Sequence, residues 1–268
     1  MRLLRKILLW TGGIALALYV AVCAFFYSKQ QEILFVPQKL KADYAFSFPD
    51  RFAEHNITTA DGTVLSGLLF RADSARGLIF YLHGNAGALH TWGEIAGVYT
   101  ALGYDLYMLD YRGYGKSGGS IASEAQLYSD VQAAYDDLKK LYPENKIVVL
   151  GYSIGTGPAA MLAANNHPRL LVLQAPYYSM TDMMEHTYSF LPRILLKYPL
   201  KTGEHAAKAT APVVVFHGTA DRVIYYGSAE KLRANFRQGD TLITLHGLGH
   251  NGFTKNNDYL TALPYVLQ

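Results

Sequence analysis

One pentapeptide and its flanks constrain the fold of this chain more than any other feature. Gly151-Tyr152-Ser153-Ile154-Gly155 matches the pattern G-x-S-x-G, with a short apolar run before it and an alanine-rich segment after it. The apolar run is typical of a buried strand and the segment after it of a helix. In that context glycines allow a turn so tight that the serine hydroxyl projects beyond the strand. The pattern therefore predicts Ser153 as a nucleophile, although so short a pattern can also arise by chance.

The rest of the chain predicts strands that alternate with helices. We predict strands at residues 78–82, 104–109, 146–152, 170–174, 213–216 and 241–245, and helices at residues 89–102, 123–142, 155–166, 228–236 and 258–266. Residues 54–59 and 64–70 flank the turn signal Ala60-Asp61-Gly62 and predict an edge hairpin. The alternation predicts an α/β domain with a mostly parallel sheet, in which ligands bind beyond the carboxyl ends of the strands.

Partners for the serine follow two later strands. A serine hydroxyl needs a base, the base needs an orienting acid, and the developing oxyanion needs N–H donors. Asp221 follows the strand at 213–216, and His250 follows the strand at 241–245. The glycine-rich loop after the strand at 78–82 offers the Asn85 N–H. The Ile154 N–H lies at a predicted helix N-terminus, where negative charge is stabilised, so we predict these two N–H groups as the oxyanion hole.

Alternatives to the base and the acid are present in the same regions. His246 could replace His250, but it ends its strand, whereas His250 lies on a flexible glycine-rich loop. Asp182, in the segment between two sheet strands, could replace Asp221.

Other polar residues at strand ends have simpler predicted roles. His83 and His217 each precede a glycine, and we expect them to hold their loops by hydrogen bonds. We expect Asp110 to pair locally, and the glycine-rich run after it lacks the spacing of a phosphate-binding loop.

The single cysteine, Cys23, excludes an internal disulfide and a cysteine-based zinc site. We expect no metal and no other cofactor.

The N-terminus predicts a membrane anchor. Residues 7–28 carry no charge, which is roughly the length that a helix needs to cross a hydrocarbon core of about 30 Å. We predict an anchor at 1–28, a connector at 29–50 that packs irregularly, and a catalytic domain at 51–268 that stays folded and active without the anchor. A cleaved signal peptide and a lipoprotein site at Cys23 are the alternatives. The basic N-terminal residues favour a translocated catalytic domain, an argument that the lysines after the apolar stretch weaken.

The alternation of strands and helices breaks at residues 176–210. This segment is too long for an ordinary connection and is rich in aromatic residues and methionine. We predict a lid that contacts the substrate through Tyr177, Tyr178, Met180 and Met184 and that favours apolar acyl groups. A helical excursion that merely packs on the domain is the alternative.

Together these motifs resemble those of the α/β-hydrolase superfamily, and more narrowly its membrane-anchored members of the bud-emergence and depalmitoylase-like types. The resemblance covers residue 78 to the end, through the motifs around Asn85, Asp110, Ser153, Asp221 and His250. It implies an α/β-hydrolase fold with helices on both faces of the sheet, and a serine esterase or thioesterase with a Ser-His-Asp triad. A serine peptidase and a membrane-tethered scaffold without turnover are the alternatives.

The net charge of the chain, together with the apolar lid, indicates which class of substrate to expect. The net charge is +3, and three of the positive charges lie within the first six residues, so nothing indicates nucleic-acid binding. We expect a small-molecule or lipid-like acyl substrate. The composition leaves the oligomeric state open.

Overall fold

An eight-stranded sheet forms the centre of the domain in the computed structural model, which describes every residue from Met1 to Gln268. The strands of the chain are β1 (Val36–Pro37), β2 (Phe52–Glu54), β3 (Ile57–Thr58), β4 (Val64–Leu65), β5 (Gly67–Phe70), β6 (Leu78–Leu82), β7 (Ala86–Gly87), β8 (Asp105–Leu109), β9 (Ile147–Tyr152), β10 (Leu170–Gln174), β11 (Val213–Gly218) and β12 (Thr241–Leu245). The sheet order is β12-β11-β10-β9-β6-β8-β5-β2. Only the β8–β5 and β5–β2 pairs are antiparallel, which confirms the mostly parallel sheet.

Helices cover both faces of this sheet. The helices of the chain are α1 (Arg2–Leu34), α2 (Leu89–Trp92), α3 (Ala96–Thr100), α4 (Glu124–Leu138), α5 (Thr156–Asn165), α6 (Met180–Thr187), α7 (Thr202–Lys208), α8 (Gly227–Arg233) and α9 (Asn257–Val266), of which α1 lies outside the sheet layers. Side chains alternate along a strand, so Phe80 joins the core under α4 and α5, whereas Ile79 and Tyr81 join the core under α3 and α9. Burial on both faces explains why the central strands are apolar throughout.

Two predicted elements are broken where the chain bends. The edge hairpin is divided, because β3 pairs with β4 while β2 pairs with β5. The helix predicted at residues 89–102 is interrupted by a short 3-10 turn at Gly93–Ile95. The Phe48 ring packs so closely on Gly93 that a side chain there would overlap it.

The N-terminal helix is longer than the predicted anchor. It continues to Leu34 through residues 29–34, part of the segment that we expected to be an irregular connector. Those residues are good helix formers, and the first proline after them is Pro37. The helix is long and apolar enough to cross a membrane, by length and composition alone.

The segment over the predicted site is shorter than expected. Residues 176–210 contain α6, a 3-10 turn at Arg193–Leu195 and α7. Of these, α7 packs beside α5, and its residues Thr202, Gly203 and Ala206 are buried. We use "lid" below for residues 176–200, the part that precedes α7.

Candidate active site

The turn between β9 and α5 is a strained elbow. Ser153 has φ of +52°, in the left-handed region that non-glycine residues rarely adopt. Both glycines of the motif are required sterically. A side chain at Gly151 would overlap the backbone of Gly155, and one at Gly155 would overlap the carbonyl oxygens of Leu82 and His83. The elbow therefore lies tightly against the end of β6, with the serine at the carboxyl edge of the sheet.

Three side chains from different loops meet at this edge. His250 Nε2 lies 3.0 Å from Ser153 Oγ, and His250 Nδ1 lies 2.8 Å from Asp221 Oδ2. Ser153 and Asp221 are buried, and His250 is partly accessible. These distances allow a proton on the serine to pass to an imidazole whose other nitrogen faces a carboxylate.

The surroundings of Asp221 keep its carboxyl group ionised. Burial disfavours the charged form, but the neighbours outweigh burial and hold the pKa of Asp221 well below its usual range. His217 lies 3.4 Å from Oδ2 on one side, and His250 lies on the other. The N–H groups of Val223 and Ile224 donate to Oδ1 at 2.8 and 2.9 Å. The carboxylate is therefore fixed in orientation as well as in charge.

Tyr152 is a site residue that the sequence reasoning missed. Its hydroxyl lies 2.9 Å from the His250 carbonyl oxygen and 2.7 Å from Asn251 Oδ1, so one proton is shared between two acceptors, and its ring lies 5.5 Å from the imidazole. These contacts tie the glycine-rich loop that carries the histidine to the residue beside Ser153. The only signal was its position beside Ser153, because x in G-x-S-x-G admits any residue.

The two predicted oxyanion donors lie on restrained backbone. The Asn85 N–H makes no hydrogen bond within the protein, while its carbonyl oxygen accepts from the Tyr114 hydroxyl at 2.7 Å. Its side-chain oxygen accepts from the Val36 N–H at 2.9 Å. The Ile154 N–H belongs to the first turn before α5, where N–H groups lack intrahelical partners. The Tyr177 hydroxyl donates to the Ile154 carbonyl oxygen at 3.0 Å.

The alternative base and acid lie apart from the triad geometry. His246 is exposed and makes no side-chain hydrogen bond. Asp182 pairs with Lys231 and accepts from the Tyr225 hydroxyl at 2.6 Å.

The other polar residues hold the framework around the site. His83 is fully buried and contacts the Gly84 carbonyl oxygen at 2.7 Å. Asp110 accepts from the Leu89 N–H at 3.1 Å, and burial raises the pKa of its carboxyl group. His217 contacts the Ile224 carbonyl oxygen at 3.0 Å.

An apolar cavity of about 300 Å³ opens beside Ser153. Met180 and Met184 line it, as predicted for the lid, together with Met183. Tyr177 and Tyr178 do not line it. Tyr177 is fully buried beneath the elbow, and the Tyr178 ring packs on Gly203 of α7. The prediction that these two lid tyrosines contact the substrate is therefore wrong, because both side chains face the domain core.

The remaining walls come from parts of the chain without a motif. One wall is the end of α1, a second is the last turn of the lid, and a third is the loop after Asp221. The lining residues from these parts are Phe26, Gln30, Ile33, Leu34, Leu191, Leu195, Leu196, Val223 and Ile224. They are hydrophobic except for Gln30, and their separation in the sequence gave no sign that they would meet.

Comparisons with known proteins identify the family and the fold of the chain. The family described as "Serine aminopeptidase, S33" matches residues 73–203. An uncharacterized protein of Mycobacterium tuberculosis is 30% identical over 237 residues, which cover 86% of this chain and 83% of that protein. Alpha/beta hydrolase domain-containing protein 17B of Xenopus laevis is 30% identical over 233 residues, which cover 83% of this chain and 78% of that protein.

Among solved structures, an esterase of Pyrococcus furiosus superposes with a TM-score of 0.69. The superposition covers 87% of this chain and 97% of the esterase at 18% sequence identity. At that identity the likeness shows the shared fold.

Proposed function

The chain belongs to the α/β-hydrolase superfamily, in the branch of the α/β-hydrolase domain-containing proteins 17, and on that premise we propose that it is a serine hydrolase of carboxylic esters or thioesters. The observation that carries the proposal is the 3.0 Å contact between Ser153 Oγ and His250 Nε2, with Asp221 behind the imidazole. A serine on a strained elbow next to a base is the arrangement that acyl transfer needs.

In this mechanism His250 removes the proton as Ser153 Oγ attacks the acyl carbon. The bond from that carbon to the ester oxygen or thioester sulfur then breaks, and the leaving group takes the proton from His250. Water, deprotonated by the same imidazole, attacks the acyl-serine and releases the acid. Asp221 orients His250 and stabilises its charged form, and the Asn85 and Ile154 N–H groups stabilise the oxyanion in both steps.

The cavity supports an apolar acyl group. Of its 17 lining residues 13 are hydrophobic, and three of these are the flexible methionines of the lid. Each methylene buried there contributes up to about 0.8 kcal/mol of binding until the cavity is full. No aspartate or glutamate lines the cavity, so nothing in it would bind the amino terminus of a peptide. This favours an esterase or thioesterase over an aminopeptidase.

A fluorophosphonate probe tests the nucleophile directly, because it labels only an activated serine. We expect labelling of the wild-type protein and none of Ser153→Ala. Ser189→Ala is the matched control, because Ser189 is exposed on the lid and makes no hydrogen bond. Labelling of Ser153→Ala at the wild-type rate, or a wild-type protein that neither reacts nor hydrolyses any ester, would favour the non-catalytic scaffold.

We also propose that α1 is retained as a membrane anchor. A cleaved signal peptide would leave little reason for the helix to contact the mature domain, yet Tyr19 donates to the Phe190 carbonyl oxygen at 2.9 Å. Carbonate-washed membranes should retain the protein with its N-terminus intact, and a soluble form that begins near Ala24 would contradict the proposal. The translocated side remains our expectation for the catalytic domain.

A further inference from the structure

The segment that follows α1 pairs with the loop that carries Asn85. A short parallel ladder joins β1 to β7, and the Gln38 N–H donates to the Gly87 carbonyl oxygen at 3.2 Å. Strand β7 begins at the residue directly after Asn85. The chain therefore contacts the backbone beside a proposed oxyanion donor, although the catalytic domain expected from the sequence begins only at residue 51.

The same segment is hydrogen-bonded to a second loop, the one that follows β8. The Leu40 N–H donates to the Gly115 carbonyl oxygen at 3.0 Å, and the Gly115 N–H donates to the Gln38 carbonyl oxygen at 2.9 Å. Lys39 Nζ donates to the Ser117 carbonyl oxygen at 3.0 Å. Residues 36–40, which we call the bracing segment, therefore lie between two loops and are bonded to both.

One hydrogen bond joins the bracing segment to the Asn85 side chain. The Val36 N–H donates to Asn85 Oδ1 at 2.9 Å. The Val36 side chain is 50% exposed, so this residue contacts the loop through its backbone. Phe35 before it is buried, and its ring lies 5.4 Å from the Tyr198 ring. The donor of this hydrogen bond is therefore held in place independently of Asn85.

Further hydrogen bonds restrain the peptide group to which the Asn85 N–H belongs. That group includes the Gly84 carbonyl oxygen, which lies 2.7 Å from Nδ1 of the fully buried His83 ring. Because a carbonyl oxygen only accepts, Nδ1 carries the proton in this contact. On the other side, the Tyr114 hydroxyl donates to the Asn85 carbonyl oxygen at 2.7 Å. The acceptors around the N–H are thus occupied, while the N–H itself makes no hydrogen bond within the protein.

This restraint matters because the peptide group follows a glycine. A glycine backbone adopts more conformations than that of any other residue, so an unrestrained Gly84–Asn85 peptide group would rotate easily. A half-turn would replace the N–H by a carbonyl oxygen, which repels an oxyanion. A donor stabilises the transition state most when its orientation is fixed before the reaction begins.

We propose that the hydrogen bond from Val36 to Asn85 Oδ1 positions the Asn85 N–H for the oxyanion, so that the bracing segment is a part of the active site. The proposal rests on the proposed hydrolase function and adds a positioning element to it. Val36 does not line the cavity and acts through Asn85. Since the bracing segment directly follows α1 and Phe35, the connection to the helix runs through the oxyanion loop.

The test removes either partner of this hydrogen bond in the full-length protein in detergent, with 4-nitrophenyl butyrate as substrate. Asn85→Ala removes the acceptor and keeps the backbone N–H. Val36→Pro removes the donor, and Phe35 already has the extended backbone that suits a residue before proline. Loss of a whole oxyanion donor lowers kcat by about 10²–10³-fold, so each variant should lower kcat about tenfold or more, up to that limit. KM should stay within about twofold, because the interaction is made in the transition state.

A second proline and a double variant control for disturbance of the chain. Ala42→Pro is the matched control, because Ala42 is exposed, its N–H makes no hydrogen bond, and it follows Lys41 in a turn, where proline is favoured. It should keep the wild-type kcat. Val36→Pro/Asn85→Ala should be within about twofold of the slower single variant, because both changes remove the same hydrogen bond. Losses that multiply would come from two separate effects and would overturn the proposal.

A butyl trifluoromethyl ketone distinguishes positioning from a merely structural role. Ser153 Oγ adds to its carbonyl carbon, the hydroxyl proton passes to His250, and the carbonyl oxygen becomes an oxyanion. The inhibition constant should rise in each single variant by about the factor by which kcat falls, since both report stabilisation of that oxygen. Wild-type kcat and inhibition in Asn85→Ala would overturn the proposal, even if the variant unfolds at lower urea concentration. A rise in KM with unchanged kcat would overturn it as well.

The outcomes separate this inference from the function on which it rests. If the wild type hydrolyses no ester or thioester and the fluorophosphonate does not label it, the hydrolase proposal itself fails. If the wild type is active and both single variants keep its kcat, only the positioning role of the bracing segment fails.

Discussion

Replacing Asp221 with asparagine exchanges one carboxylate oxygen for an NH2 group. The hydrogen bonds around the side chain decide which of the two oxygens is exchanged. Oδ1 accepts from two backbone N–H groups, those of Val223 and Ile224, so the amide oxygen must remain there. The NH2 group is then forced into the Oδ2 position, 2.8 Å from His250 Nδ1. As a donor it would stabilise the tautomer with the proton on Nε2. That nitrogen could no longer accept the proton of Ser153.

We therefore expect turnover to fall because His250 no longer adopts its reactive tautomer, although the imidazole itself is still present. In other serine hydrolases this substitution lowers turnover by about 10⁴-fold, or roughly 5.5 kcal/mol of transition-state stabilisation. The fold should survive, because the amide retains both hydrogen bonds on the Oδ1 side. We expect kcat for a short-chain ester and the fluorophosphonate labelling rate of Ser153 to fall together.

Asp182→Asn is the matched control, because its carboxylate pairs with Lys231 and not with the imidazole. That variant should stay within a few-fold of the wild-type rate on the same ester, because the Asp182 carboxylate contacts Lys231 and Tyr225 and neither Ser153 nor His250. Turnover of Asp221→Asn within tenfold of wild type would refute the tautomer argument. A larger loss in Asp182→Asn than in Asp221→Asn would assign the orienting role to Asp182.

Three further predictions concern the elbow and the base. Ser153→Ala and His250→Ala should each lower turnover by about 10⁶-fold, and the double variant should be hardly slower because the two residues act as a unit; additive losses would contradict this. Gly155→Ala should lower the free energy of unfolding in urea by about 2 kcal/mol or more, because its side chain would overlap the Leu82 carbonyl oxygen, and a change under about 0.5 kcal/mol would count against the tight elbow. Asp221, with its pKa below the ordinary value of about 3.9, stays ionised above about pH 5, so kcat/KM measured above that pH should carry no contribution from protonation of this carboxyl group. The stability that its depressed pKa contributes is present above about pH 4 and lost as the pH falls through the folded value.

Sequence reasoning was most specific where local chemistry and chain order restrict the answer. The alternation of apolar strands and amphipathic helices predicted the parallel sheet, which the structure and the comparisons confirm. Ser153, Asp221 and His250 each follow a strand of that sheet, and the carboxyl ends of parallel strands meet at one edge. The proximity of the three side chains could therefore be expected, and in the structure His250 lies 3.0 Å from Ser153 and 2.8 Å from Asp221.

For the lid, the prediction from the sequence was only partly right. Aromatic and methionine content predicted an apolar cover, and Met180 and Met184 do line the cavity. Composition alone does not tell which face of an irregular segment turns inward. Tyr177 therefore supports the backbone of Ile154 instead of contacting the cavity.

The N-terminal helix shows most clearly what the sequence by itself determines and what only the tertiary structure decides. Its sequence alone determines a charge-free segment long enough to cross a membrane, because length and hydrophobicity are local properties. Only the tertiary structure decides that Phe26 and Gln30 line the same cavity as Ser153, which is more than 100 positions away along the chain. Such long-range contacts depend on how the lid and the sheet edge pack, and no local pattern records them. The sequence thus specifies the reactive groups, and packing specifies the surface from which a substrate can reach them.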